Sequence, residues 1–96
     1  MITVNDLKFY PQLHGGIGAK LNTKAKLTLS IQAGQGVYSF PREDGLQPGD
    51  YTSFEVAILN TLGEFVTDKF IDCGHDTVAA WCSREVINNI IYQLER

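Results

Sequence analysis

The chain has 96 residues, 44% hydrophobic and 20% charged, with a formal net charge of -3. These values fit one globular domain, residues 1–96, and exclude a disordered or fibrous class. No apolar run reaches the roughly 18–20 residues that span a bilayer, and the start, Met1-Ile2-Thr3-Val4-Asn5-Asp6, lacks the basic and apolar blocks of a secretory signal.

Leu7-Lys8-Phe9-Tyr10 is a short apolar segment that Pro11 ends, an edge strand or a covering strap. His14-Gly15-Gly16-Ile17-Gly18 is glycine-rich but matches neither G-x-x-x-x-G-K-[ST] nor G-x-G-x-x-G, and it precedes a strand instead of a helix. It reads as a turn. Ile17–Leu21 is a weak strand that turns at Asn22–Ala25 into the clearest strand, Lys26–Gln32, where Leu27, Leu29 and Ile31 alternate with polar residues. Ala33-Gly34-Gln35-Gly36 predicts a hairpin into a strand over Val37–Phe40, ended by Pro41.

Arg42–Asp50 is a polar loop punctuated by Gly45, Pro48 and Gly49. Thr52–Leu59 is the candidate central strand, with Phe54, Val56 and Ile58 on one face. Asn60–Gly63 turns into a further expected strand over Glu64–Ile71, and residues 72–82 read as a loop with room for one short helical turn. Ser83 caps a final helix whose Val86, Ile87, Ile90, Ile91 and Leu94 make a core-facing stripe. The expected fold class is α+β: a single antiparallel, meander-like sheet of about four to six strands, packed by one C-terminal amphipathic helix.

Charge is unevenly distributed. Residues 1–42 carry five basic side chains against one acid, and residues 43–96 carry three against ten. Such asymmetry marks either a binding face or attraction between the halves of one fold.

Few residues form a chemical motif. Cys73, His75 and Cys82, with His14, imitate a zinc set, but neither a C-x2-C nor an H-x3-5-H pair is present. A thiol nucleophile with His75 as base lacks any recognisable oxyanion donor. These readings predict no enzyme activity, no cofactor and no structural metal. The two cysteines read as reduced thiols in a cytoplasm, a disulfide being open only if the chain between them folds back. Lys20, Lys24 and Lys26 cluster at one expected hairpin, where they could meet phosphates or protect a strand edge. Tyr38, Arg42, Tyr51 and Trp81 sit at strand ends and loops and are of the types that anchor protein interfaces. Together with the loop from Arg42 to Tyr51 they form the candidate interaction surface.

Tyr38…Pro41-Arg42, then Tyr51-Thr52-Ser53-Phe54-Glu55-Val56-Ala57-Ile58-Leu59, then Asp76…Trp81 before the last helix, follow an order that resembles small, mostly uncharacterised proteins encoded by tailed bacteriophages and prophages. The resemblance covers roughly residues 35–96. Where those proteins often show paired acids, this chain has His75-Asp76. The resemblance implies a phage-like origin and a host cytoplasm, and supplies no activity. Three functions follow in order of support: a non-enzymatic accessory factor that binds a protein, host or self; a nucleic-acid-contacting module using the Lys20/Lys24/Lys26 hairpin; and a small hydrolase or metal protein. No membrane partner is expected.

Overall fold

The computed structural model describes residues 2–96. Five strands, β1 (Tyr10–Pro11), β2 (Ile17–Asn22), β3 (Thr28–Ala33), β4 (Ser53–Leu59) and β5 (Ala79–Ser83), lie side by side in chain order. Every neighbouring pair is antiparallel, and helix α1 (Arg84–Leu94) follows β5 directly. The protein is therefore an α+β meander closed by a C-terminal helix. Among the described residues, no helix is long and apolar enough to cross a membrane.

The period-two pattern sets the core. The register pairs Leu29 with Ile58 and Ile31 with Val56, so the apolar side chains of the two central strands meet on one face. All four are fully buried, as is Phe54. Ile87, Ile90, Ile91 and Leu94 of α1 join the same cluster. Each such side chain contributes about 1.5–3 kcal/mol over leaving it in water. Ser83 Oγ accepts from the Val86 N–H at 3.2 Å, so the expected cap is in place. Val86 departs from the expected stripe: it is 39% exposed, because at ~100° per residue it falls beside the face centred on Ile87 and Ile91.

Three expected segments differ. Val37–Phe40 is not a strand, since β2 and β4 already occupy both edges of β3. The chain instead turns sharply: Ser39 Oγ accepts from the Gly34 N–H at 3.0 Å and lies 3.0 Å from the Pro41 carbonyl oxygen. Only Phe40 makes a bridge, to Ser53. Glu64–Ile71 is also not a strand. After a single bridge between Leu59 and Phe65, the buried Thr67 hydroxyl accepts from the Ile58 N–H at 2.9 Å, replacing a ladder bond, and a 3-10 turn follows over Thr67–Lys69. Conversely, residues 72–82, read as a loop, contain most of β5.

The N-terminal segment is tied to the helix. The Val4 N–H donates to Asn88 Oδ1 at 2.8 Å, and Phe9 stacks on Phe54 at 5.8 Å between ring centres. Pro11 falls inside the two-residue edge strand, a position where the missing N–H costs no internal ladder bond.

Candidate functional site: an aromatic and guanidinium stack on a bulged edge strand

The site begins with an irregularity in pairing. β4 and β5 match Ser53 with Ser83 and Phe54 with Cys82, but then Val56 with Ala79. Ala80 and Trp81 therefore stand opposite the single residue Glu55, which is a β-bulge. Trp81 adopts φ +50°, a conformation that a bulky residue enters only under constraint. Its backbone N–H donates to the Tyr38 carbonyl at 3.0 Å. The outcome is a large indole aimed outward from a sheet edge, 56% exposed.

Tyr38 reaches this point because the turn after β3 folds over the sheet. Its N–H donates to Glu55 Oε2 at 3.2 Å, and its ring lies 5.4 Å from that of Trp81, tilted by 49°. The Arg42 guanidinium sits 5.1 Å above the Tyr38 ring, and Arg42 Nε donates to the Gln35 carbonyl at 3.0 Å. Asp44 fixes the same turn by accepting from the Gln35 N–H at 2.8 Å. Trp81, Tyr38 and Arg42, separated by up to 43 positions in sequence, thus form one stack. Tilted aromatic pairs and cation–π pairs at exposed sites each contribute about 0.5–1 kcal/mol, so the rings are held in place before any partner arrives.

Tyr51 does not belong to this surface. It is 1% exposed, packs against Phe54 with ring centres 6.1 Å apart, and donates its hydroxyl to the Glu43 carbonyl. Burial, followed by the carboxylates of Asp44, Glu43 and Asp50, pushes its phenol above the ordinary value, which keeps the hydroxyl a donor. The loop from Arg42 to Tyr51 is accordingly anchored from within. Its 3-10 turn at Pro48–Asp50 is gripped by Arg84, whose Nη2 donates to the Pro48 carbonyl at 2.6 Å and the Tyr51 carbonyl at 2.9 Å. Arg84 Nη1 also donates to Asn5 Oδ1, and the guanidinium lies 5.1 Å from the Phe54 ring centre. Sequence reasoning missed Arg84 and Glu55; both lie in segments read only for their apolar pattern.

The remaining candidates separate. Lys20 faces the open side of the sheet beside Lys8, whereas Lys24 borders a cleft with Ile2, Tyr92 and Arg96 at the end of α1. The hairpin lysines therefore do not share one surface. Among the described residues, no three His, Cys, Asp or Glu side chains gather as a metal-ligand set. His14 Nδ1 accepts from the Gly16 N–H at 3.1 Å and so helps close the β1–β2 turn.

Both thiols are held above the ordinary cysteine value, the opposite direction from one that favours a thiolate. Burial, then Asp68, Asp72 and Asp76, raise the Cys73 thiol. Burial, then Cys73, raises Cys82 to about 11. The unfolded chain therefore releases the Cys82 proton first, and this thiol's contribution to stability is complete below the ordinary thiol value and lost as pH rises toward 11. The expected result is that Cys82 resists alkylation at mildly alkaline pH in the native protein and reacts readily in denaturant. Equal alkylation rates in the two states would contradict the burial.

Scans against protein-family models, curated proteins and solved structures gave no match.

Proposed function

We propose that the protein is a non-enzymatic binding module that engages a protein partner through the Trp81–Tyr38–Arg42 stack, as a phage accessory factor would in a host cytoplasm. One observation carries this reading: an exposed tryptophan held at positive φ in a bulge and stacked on an exposed tyrosine that itself carries an arginine. Tryptophan, tyrosine and arginine are the residues that most often dominate binding energy. A folding requirement alone does not explain keeping all three at the surface. Pre-ordering by the stack and by the Asp44 and Glu55 hydrogen bonds lowers the entropy lost on association.

Trp81→Ala tests it. The substitution is expected to change stability by no more than about 1 kcal/mol, yet to weaken a partner recovered from bacterial lysate at least tenfold, or about 1.4 kcal/mol. A partner that binds the folded variant as tightly as the parent sinks the assignment.

The nucleic-acid reading receives no matching support, because Lys20 and Lys24 border different grooves and the net charge of -3 opposes phosphate attraction. Fluorescence anisotropy with labelled DNA and RNA at low salt is expected to show no tight binding. Submicromolar, salt-sensitive binding abolished by Lys24→Glu would reinstate that alternative.

A further inference from the structure

Away from the turn that carries Tyr38 over Glu55, the face of the sheet opposite α1 bears small or polar side chains. Between Lys8, Tyr10 and Gln12 on one side and Lys20 and Gln32 on the other lies a groove of about 400 Å³. A second, shallower depression continues from Ser30 and Gln32 to Glu55, Ala57 and Val78. The two share Ser30 and Gln32, so they form one trough running across the strands toward the edge that carries Trp81. Its floor is Ser30 and Ala57, and the Gln12 side chain lies over Gly18. Ser30 is 6% exposed and lines both parts of the trough.

Charge gives the trough a direction. Both charged residues bordering the first groove are lysines, Lys8 and Lys20. The one charged residue of the second is Glu55, whose carboxylate accepts from the Tyr38 N–H at 3.2 Å. With five strands about 4.8 Å apart, the distance from β1 to β5 is about 19 Å. An extended segment of about six residues covers that span at ~3.3 Å per residue.

Resting on the binding reading above, we propose that the trough takes an extended segment of the partner protein, acidic at the end over Lys8 and Lys20 and apolar at the end against Trp81. The floor admits the segment's backbone closely at Ser30 and Ala57, which raise little side chain against it, while the Gln12 side chain lies over Gly18. Ser30 and Gln32 offer hydrogen bonds to its peptide groups, and Glu55 accepts from a backbone N–H near the apolar end while repelling an acid placed there. The lysine end sets orientation and the Trp81 end supplies apolar burial, the division of labour usual in peptide recognition.

The probe is a display library of random peptides of about six residues, selected on the immobilised protein. Expected is enrichment of sequences with acids toward one end and an apolar residue toward the other. Binding of a selected peptide should weaken at least tenfold in Lys8→Glu/Lys20→Glu and in Trp81→Ala, and should fall with added salt. Both sites of substitution are exposed, so the variants are expected to fold, as circular dichroism would verify. Selected peptides without an acidic excess, or selection failing on the parent, overturn the proposal. Loss of binding in Trp81→Ala but not in the double lysine variant removes the trough and leaves the Trp81 surface standing. Retention in both variants removes both.

Discussion

Tyr51→Ala is expected to destabilise the protein by about 3–5 kcal/mol, the range for truncating a fully buried aromatic side chain. The ring is 1% exposed and lies in the main core cluster beside Phe54. Its removal leaves a cavity under the 3-10 turn at Pro48–Asp50 and strands the Glu43 carbonyl that its hydroxyl serves. Arg84 then loses the fixed position of the Tyr51 carbonyl that it grips. Tyr51→Phe keeps the ring and loses only the hydroxyl, so it is expected to cost about 1–3 kcal/mol, the range for leaving a buried acceptor unmet. Urea unfolding of the parent and both variants measures this: the midpoint should fall in the order parent, Phe, Ala. A Tyr51→Ala midpoint equal to that of the parent would return Tyr51 to the surface. The substitution is consequently unsuited to probing partner binding, whereas Arg42→Ala and Trp81→Ala leave the core untouched.

How far the chain announces its fold follows from which interactions shape each element. β3, β4 and α1 were legible because their patterning is local. Leu29 and Ile31 alternate with polar residues, Phe54, Val56 and Ile58 recur at a period of two on one face, and Ile87, Ile90, Ile91 and Leu94 repeat at helical spacing. β5 was hidden because the bulge at Ala80 and Trp81 breaks the period of two, leaving Ala79 and Cys82 buried three positions apart. Val37–Phe40 carries residues suited to a strand, but the decision lay elsewhere in the chain: β4 takes the edge of β3 that a hairpin would have needed. At Thr67 a side chain supplies the hydrogen bond that a strand backbone would have made.

The candidate site shows the same limit. Tyr, Trp and Arg at loop positions identify it by residue type, and three of the four named residues do meet. What residue type could not separate was Tyr51 from Tyr38. Both lie beside polar loops, but Tyr51 adjoins the apolar face of β4, while Tyr38 is carried over the open face by a turn that Ser39 and Asp44 hold. That distinction rests on long-range hydrogen bonds, which local sequence pattern does not encode. Lys8 and Lys20 were similarly unreadable as a pair, since the β1–β2 pairing alone brings them to one groove.

Gly16→Ala is expected to lower stability by about 3 kcal/mol or more, at or beyond the upper end of overpacking costs. Gly16 sits where the β1–β2 turn closes against the end of β3. A Cβ there would collide with the Ala33 carbonyl oxygen, and would also stand 2.7 Å from His14 Cε1 and 2.9 Å from Gly34 Cα. Two of these three obstacles are backbone, so no rotamer change relieves them. Nor is Gly16 free to shift: its carbonyl accepts from the Gln12 N–H at 2.9 Å, its N–H donates to His14 Nδ1 at 3.1 Å, and the next residue, Ile17, pairs with both Pro11 and Ala33. Relief requires the turn to move away from β3, loosening the edge of the sheet and the Gly34 turn that Ser39 holds. Gly49→Ala is the matched control. A Cβ at Gly49 meets nothing within 4 Å and its φ is not positive, so alanine there is expected to be neutral or to stabilise by up to about 1 kcal/mol through a less flexible unfolded chain. For a domain of this size a 3 kcal/mol loss lowers Tm by at least about 12 °C. Calorimetry should therefore place Gly49→Ala at or slightly above the parent and Gly16→Ala far below it. A Gly16→Ala protein melting within a few degrees of the parent would mean that the turn does not close on β3 as described.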